Sequence, residues 1–82
     1  MEREEIADKV KDILSELLSI EKDDIVEDSN FVSDLHADSL DSVEIIMEVE
    51  DKFNISIEDN KAEMVFNVKS LIDLIENKLE KE

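Results

Sequence analysis

Apolar residues recur every three or four positions in three segments of the chain, and this spacing is typical of amphipathic helices. The first helix is predicted over residues 3–18 and the second from about Ser39 to Phe53. The last is predicted over residues 68–79, with Asn67 before it as the N-cap. The chain contains neither glycine nor proline, which build most tight hairpin turns, so the pattern predicts an all-α fold.

About twenty residues separate the first two predicted helices, which is long for an irregular connection in a small domain. Apolar residues are spaced through this segment, and we expect them to pin it onto the helices. These anchors are Ile20, Ile25, Val26, Phe31, Val32 and Leu35. A short further helix is predicted near Asp59–Met64, and the 82 residues suffice for a single domain.

Negative charge is concentrated in the middle of the sequence. The formal net charge is −16, and residues 21–60 hold fourteen acidic residues against two lysines, a net −12. Such a surface repels nucleic acid and anionic membranes, attracts basic proteins and binds divalent cations weakly. No apolar run approaches the roughly 20 residues of a membrane span, and the acidic N-terminus is unlike a targeting peptide. We therefore expect a cytoplasmic protein, with a processed organellar form as the alternative.

Four acids of the second predicted helix share one narrow face: Asp41, Glu44, Glu48 and Asp51. Glu44 and Glu48 form a like-charge pair four residues apart, which costs a helix a few tenths of a kcal/mol. Because no basic residue relieves this acidic stripe, we expect it to receive a basic partner; a plain solvated face is the alternative. Glu50 falls among the apolar positions, and the sequence leaves open whether it reaches solvent or lies partly buried.

Ser39 is expected at the first turn of the second helix, where unpaired backbone N–H groups can receive a phosphate. Asp38 is the predicted N-cap, and Asp41 adds charge that favours the helix dipole. A hydrolase triad with His36 is disfavoured, because His36 lies only three residues before Ser39 and no glycine is present for a nucleophile elbow. One histidine, no cysteine and no EF-hand loop argue against the usual zinc and calcium sites. A modified serine or a plain polar first-turn residue remains.

The stretch FVSDLHADSLDSVEIIMEVEDKF, Phe31 to Phe53, resembles acyl carrier proteins around their prosthetic-group serine. The family pattern there is L-G-A-D-S-L-D, followed by V-E and a helix of alternating apolar and acidic residues. The resemblance implies a four-helix bundle over residues 1–82, with a long anchored loop between helices 1 and 2 and a short third helix. It implies a stand-alone carrier, and not an enzyme. This carrier would deliver growing acyl chains to the enzymes of fatty acid biosynthesis. The aspartate before the serine favours a fatty-acyl over a peptidyl carrier.

The resemblance also assigns roles to individual residues. Ser39 would carry 4′-phosphopantetheine through a phosphodiester, attached by a phosphopantetheinyl transferase that recognises Asp38 and Leu40. The chain has no cysteine, so the thiol of the acyl thioester would belong to that arm. Basic patches of ketosynthases, reductases, dehydratases and acyltransferases would recognise Asp41, Glu44, Glu48, Asp51, Asp59 and Glu63. We predict a monomer whose acyl chain threads between the second and third helices, along Val32, Val43, Ile46, Met47, Ile57, Ala62, Val65, Leu71 and Leu74.

The chain departs from the family pattern at several positions. His36 replaces a glycine, Glu48 a small apolar residue, Lys52 an acid and Glu58 a proline, and Asn60 and Lys61 differ near the third helix. A glycine at position 36 can serve a positive φ, which histidine tolerates less well. We expect His36 to be a satisfied or solvated loop residue, with a pH-sensitive role as the alternative. Two functional alternatives remain: a carrier for a polyketide or other specialised acyl pathway, and a non-carrier acidic interaction module with an unmodified Ser39.

Overall fold

The computed structural model describes residues 2–81, and within this range the regular elements are helices. The elements are α1 (Arg3–Leu18), a short 3-10 turn (Lys22–Asp24), α2 (Ser39–Phe53), α3 (Asp59–Ala62) and α4 (Val68–Lys81). The predicted all-α fold is therefore confirmed, with its long first loop and its short third helix. α3 ends at Ala62 rather than near Met64, so it is shorter than the helix that the sequence predicts.

α1 and α2 end at residues that take the left-handed conformation usual for glycine, and α4 begins at a side-chain cap. Ser19 after α1 and Asn54 after α2 take the left-handed conformation, with φ of 56° and 54°. At the start of α4, the Asn67 side-chain oxygen accepts a hydrogen bond from the Ser70 N–H at 2.8 Å. The Ser70 hydroxyl oxygen accepts in return from the Asn67 N–H at 3.1 Å, so the predicted N-cap is confirmed.

One core lies between α1, α2 and α4, because α1 packs against both of the other long helices. Its fully buried side chains are Ile6, Val10, Leu14, Ile25, Val49, Val68, Leu71, Ile72 and Ile75. Burying each such side chain is worth about 1.5–3 kcal/mol relative to leaving it exposed. α3 contributes no buried residue. α1, α2 and α4 thus form the frame, and α3 lies against it with little apolar burial.

The loop between α1 and α2 is anchored at four of its six predicted positions. Ile25, Phe31 and Leu35 are buried, and Ile20 packs against the core from a half-buried position. The prediction is wrong for Val26 and Val32, which are 54% and 69% exposed. Each directly follows a buried anchor. The backbone at Ile25 is extended, with φ of −97° and ψ of 122°, so the side chain of Val26 points away from the side that Ile25 buries.

Backbone hydrogen bonds tie this loop to the start of α4. The Phe31 N–H donates to the Phe66 carbonyl at 3.1 Å, and the Val68 N–H donates to the Ser29 carbonyl at 3.1 Å. Asn30 and Asn67 form an isolated antiparallel bridge between these contacts. The loop is therefore held by main-chain pairing as well as by its buried anchors.

Arg3 joins the start of α1 to the loop and to α4. Its guanidinium donates hydrogen bonds to Asp73 at 2.7 Å, Glu27 at 2.9 Å and Glu76 at 3.2 Å. Hydrogen bonds to Glu27 and then to Asp73 raise the pKa of Arg3 above its ordinary value. One cation thus compensates three acids in a strongly acidic chain.

Lys22 makes a second, more exposed link between the loop and α1. Its ammonium lies 2.6 Å from a carboxylate oxygen of Asp8 and 2.9 Å from one of Asp12. The hydrogen bond from Lys22 lowers the pKa of Asp8, and the hydrogen bonds to Asp8 and Asp12 raise the pKa of Lys22. Both ion-pair clusters therefore fasten α1 to segments that follow it in sequence.

Candidate attachment site for the prosthetic group

Ser39 is the first residue of α2, and a reciprocal pair of hydrogen bonds between Asp38 and Asp41 closes the turn that holds it. The Asp38 carboxylate accepts a hydrogen bond from the Asp41 N–H at 2.9 Å, and the Asp41 carboxylate accepts one from the Asp38 N–H at 3.2 Å. This reciprocal pair is a capping box, with aspartate in the place usually taken by glutamate. The predicted cap at Asp38 is confirmed, and it fixes the backbone on both sides of Ser39.

The two hydroxyl groups of this turn differ in their surroundings. Ser42 donates from its hydroxyl to the Asp38 carbonyl at 3.1 Å. Ser39 is exposed, and its side chain makes no hydrogen bond to any residue between 2 and 80. An accessible hydroxyl next to free helix N–H groups fits the attachment of a phosphate ester, so the residues present suit a phosphopantetheine arm.

His36 takes the positive φ expected of the position where the family pattern has glycine. Its φ is 59°, and unlike Ser19 and Asn54 it does not end a helix. The turn is fixed on both sides, because Leu35 and Ala37 are buried and the Ala37 N–H donates to the Phe31 carbonyl at 2.7 Å. The imidazole itself is exposed, as expected of a solvated loop histidine.

The acids predicted to recognise partners lie at the surface of α2 and α3. Glu44, Glu48 and Asp51 are exposed along α2, while Asp41 is half-buried by its capping role. Asp59 and Glu63 are exposed at the two ends of α3. The acidic stripe is therefore accessible.

The exposed side of α2 is not acidic alone, and here the sequence interpretation needs correction. Leu40, Val43 and Met47 are 75%, 57% and 62% exposed, and the acidic stripe predicted from the sequence did not include this exposed apolar row. Their spacing of three and four residues places them in one row beside the acidic stripe. The sequence did contain a sign of this row. The apolar residues of α2 span a wider arc than a helix in a four-helix bundle buries, so some of them must face solvent.

Glu50 holds the segment that leads into α3. Its carboxylate accepts a hydrogen bond from the Ile57 N–H at 2.8 Å, and the side chain is half-buried. The sequence left open whether Glu50 reaches solvent or lies partly buried. It is partly buried, and its carboxylate has a backbone partner. Glu58, which stands where the family pattern has proline, precedes α3 and forms no side-chain cap. α3 itself is only one turn long.

A groove of about 330 Å³ opens between α2 and α3, next to the first turn of α2. Five predicted acyl-pocket residues line it: Val43, Ile46, Met47, Ile57 and Ala62. It is also lined by Ser42, Glu50, Asp59 and Glu63, which sequence reasoning did not place in the pocket. Val43 and Met47 lie at its exposed rim rather than in an enclosed wall.

A smaller pocket of about 30 Å³ lies inward of this groove. Its walls are Phe31, Ser42, Ile45, Ile46, Ala62 and Val65. Phe31 and Ile45 were not predicted there, because a core position and a pocket wall leave the same apolar signal in a sequence. Two predicted lining residues are wrong for this structure: Val32 is exposed outside the voids, and Leu71 is fully buried in the core. Leu74 lines a different groove, between α3 and α4.

Residues 2–81 contain no candidate metal site and no candidate membrane span. No cluster of three or more histidine, aspartate or glutamate side chains there could hold a metal ion. No helix in the same range is both long and apolar enough to cross a membrane.

Comparison with known proteins agrees with the geometry. The family model described as "Phosphopantetheine attachment site" matches residues 8–76. A relative from Guillardia theta, named acyl carrier protein, is 44% identical over 79 residues, covering 96% of this chain and 98% of its own. Relatives of the same name from Cyanidium caldarium and a Sulfurovum species are 47% and 49% identical, over 94% and 85% of this chain and 90% and 93% of theirs. The chain therefore belongs to the acyl carrier protein family, whose members bear a phosphopantetheine arm and are carriers rather than enzymes.

Proposed function

We propose that Ser39 carries 4′-phosphopantetheine and that this protein delivers acyl chains, as thioesters on that arm, to the enzymes of fatty acid biosynthesis. The exposed Ser39 hydroxyl, free of hydrogen bonds within residues 2–80 and held at a capped helix start, is the observation that carries the proposal. Ser42 is a poorer acceptor of the arm, because its hydroxyl already donates to the Asp38 carbonyl. Fatty acid biosynthesis is the usual role of the family, and it gives the pathway part of the proposal.

The attachment step follows from the position of the hydroxyl. In the transferase complex, the Ser39 hydroxyl oxygen attacks the phosphorus that bears the pantetheine in coenzyme A. A new O–P bond forms, the bond to the departing adenosine bisphosphate breaks, and a transferase base takes the hydroxyl proton. The helix N–H groups and dipole favour the negative phosphodiester on Ser39. The arm supplies the thiol that a chain without cysteine lacks.

The exposed side of α2 supports recognition by basic enzymes. The row of Leu40, Val43 and Met47 gives an apolar contact, and the acidic stripe beside it gives charge complementarity. Opposite charges steer encounter and fix the register of a complex, while apolar burial supplies much of its affinity. The transferase, ketosynthases, reductases, dehydratases and acyltransferases are the proposed partners, and the protein is proposed to act as a monomer formed by the single domain 1–82.

The acyl chain is proposed to enter between α2 and α3. The outer groove opens beside Ser42, one turn from Ser39, and its deep wall is formed by Ile46 and Ala62. The inner pocket, at about 30 Å³, has room for about one water molecule, so a chain must widen it. α3, with no buried residue, is the element whose displacement costs least.

Reconstituted chain elongation tests this proposal. The holo protein is supplied to purified fatty acid synthesis enzymes, and the same protein is supplied to polyketide enzymes in parallel. We expect elongation by the first set, with Glu44→Lys and Glu48→Lys raising the KM of the ketosynthase for the carrier and flattening its salt dependence. Glu80→Lys makes the same charge change at an exposed residue of α4 and serves as the matched control. Elongation only by polyketide enzymes would show that the carrier serves the specialised pathway instead. An equal effect of all three substitutions on KM would exclude the acidic stripe as the recognition surface.

A further inference from the structure

Two methionine side chains are exposed among residues 2–80. Met47 on α2 is 62% exposed, and Met64, which follows α3, is 74% exposed. The remaining methionine, Met1, lies outside the described residues. Peroxides oxidise the sulfur of methionine to a sulfoxide, and an exposed sulfur is open to this reaction. Both thioethers can therefore react in the folded protein, and the chain has no cysteine that would consume the oxidant first.

Met47 lies where the apolar row of α2 meets the acidic stripe. It is four residues after Val43, which belongs to the row and is exposed. It is also three residues after Glu44 and four before Asp51, which belong to the stripe and are exposed. Side chains three or four residues apart are neighbours on the surface of a helix. Met47 therefore adjoins both parts of the exposed face of α2, whereas Met64 belongs to neither.

The sulfur of Met47 can gain an oxygen atom without disturbing the packed core. Met47 lies at the rim of the groove between α2 and α3 and is absent from the buried core. The buried residues of the same helix turn, Ile45 and Val49, are only 2% and 0% exposed. They lie about 160° away from Met47 around the helix axis. An oxygen added at Met47 therefore enters solvent rather than a filled space.

The oxidation is a two-electron change at sulfur. A lone pair of the Met47 sulfur attacks one oxygen of hydrogen peroxide, so that an S–O bond forms and the O–O bond breaks. The proton on the transferred oxygen passes to the departing hydroxide, which leaves as water. Sulfur is oxidised, peroxide is reduced, and the net charge of the protein stays the same. The product is a polar sulfoxide in place of an apolar thioether, and two thiols of a sulfoxide reductase system can reverse the step.

We propose that Met47 is a peroxide-sensitive modification site, at which sulfoxide formation weakens capture by basic partner enzymes. This inference rests on the proposed function, in which those enzymes bind the exposed face of α2. Binding buries the sulfoxide oxygen against the apolar part of the partner, and a buried acceptor without a donor costs free energy. The acidic stripe keeps its charge, so electrostatic steering is retained while the apolar contact is weakened.

Kinetics of the phosphopantetheinyl transferase on the apo protein test the proposal, because the apo protein has no thiol that peroxide could oxidise. Wild type, Met64→Leu and Met47→Leu are treated with hydrogen peroxide, the peroxide is removed, and oxidised methionines are located by peptide mass. Each treated protein is compared with its own untreated sample. Treatment should raise the KM of the transferase for Met64→Leu about tenfold, the size expected of an unpaired buried acceptor. Treatment should leave the KM for Met47→Leu unchanged, although Met64 is oxidised in it.

Two further readouts distinguish a changed contact from a damaged fold. The Tm of treated Met64→Leu should match that of the untreated sample. Its KM should keep the untreated dependence on salt, because oxidation removes no charge, whereas Glu44→Lys should flatten that dependence. Met47→Gln places a polar side chain of similar length at the site, so it should raise KM without any peroxide.

An unchanged KM for Met64→Leu that carries the sulfoxide at Met47 would overturn the proposal, and so would an equal rise in treated Met47→Leu. A Tm that falls together with the rise in KM would assign the effect to unfolding and overturn it as well. Oxidation of Met64 in wild type that spares Met47 would exclude Met47 as the site. If the transferase fails to modify Ser39 in the untreated wild-type protein, the proposed function falls and the inference falls with it.

Discussion

Asp38 and Asp41 each accept a hydrogen bond from the other's backbone N–H, at 2.9 and 3.2 Å, across the first turn of α2. Asp38→Ala removes the cap and should lower the free energy of unfolding by about 0.5–2 kcal/mol. Because the same turn holds Ser39, the variant should also be modified more slowly by the transferase. Urea unfolding and the initial rate of modification measure the two effects.

Asp38→Asn separates the cap from the charge, because an asparagine side chain caps a helix almost as well. We expect its urea midpoint to stay near the wild-type value. A slow modification rate in this variant would then report recognition of the carboxylate itself. A wild-type urea midpoint in Asp38→Ala would contradict a stabilising role for the cap.

His36, with its φ of 59°, offers a test of backbone strain near the site. His36→Val places a β-branched residue in the left-handed region, where histidine is much better tolerated, and should destabilise the fold. His36→Gly should remain near the wild-type stability, because relief of strain is offset by the greater freedom of glycine in the unfolded chain. Thermal melts of both variants measure the difference, and equal Tm values would contradict the positive φ.

Sequence patterns predicted the frame well because helix periodicity and capping are local properties. α2 occupies the predicted Ser39–Phe53, and both Asp38 and Asn67 cap as expected. Burial in the loop was predicted less well. Ile25 and Val26 are alike in the sequence, and only the path of the folded chain decides which of them faces the core.

The candidate site divides in the same way. The place of Ser39 follows from local signals, whereas the exposure of its hydroxyl, and the hydrogen bond that engages Ser42 instead, are seen only in the folded turn. The pocket could not be fully predicted, because Leu71 and Ile46 are both apolar helix positions although only Ile46 reaches a void. The subcellular compartment stays a prediction from charge and hydropathy.

Arg3 is the most heavily engaged cation among residues 2–80, with Glu27, Asp73 and Glu76 as partners. Arg3→Gln leaves these three acids without compensation and should lower the urea midpoint most at low salt, where repulsion is least screened. Lys69→Gln changes the net charge equally at an exposed residue outside these ion pairs, and it should have a smaller effect. Equal midpoints for the two variants across the salt series would exclude a specific role for the Arg3 cluster.

The contact between Lys22 and Asp8 predicts a pH dependence of stability. The hydrogen bond from Lys22 lowers the pKa of Asp8 in the folded state, so this contribution is complete above the unfolded pKa and is lost as pH falls through the folded pKa. The raised pKa of Lys22 gives a contribution that is complete below its unfolded pKa and is lost as pH rises through the folded pKa. Lys22→Gln should therefore have its largest deficit in urea midpoint between about pH 5 and pH 9.

Lys52→Gln provides the control for this pH series, because Lys52 is exposed and lies outside the Asp8 and Asp12 cluster. Its midpoint is expected to follow the wild-type curve without an added deficit near neutral pH. A deficit of Lys22→Gln that persists unchanged below about pH 2, where carboxylates are protonated, would contradict the ion-pair explanation.

The central claim is that one particular hydroxyl, that of Ser39, receives the arm. The most direct measurement is the intact mass of the protein after incubation with coenzyme A and a phosphopantetheinyl transferase, for wild type, Ser39→Ala and Ser42→Ala. We predict a gain of one phosphopantetheine group in wild type and in Ser42→Ala, and no gain in Ser39→Ala. A gain that survives in Ser39→Ala, or no gain in the wild-type protein, would contradict the account.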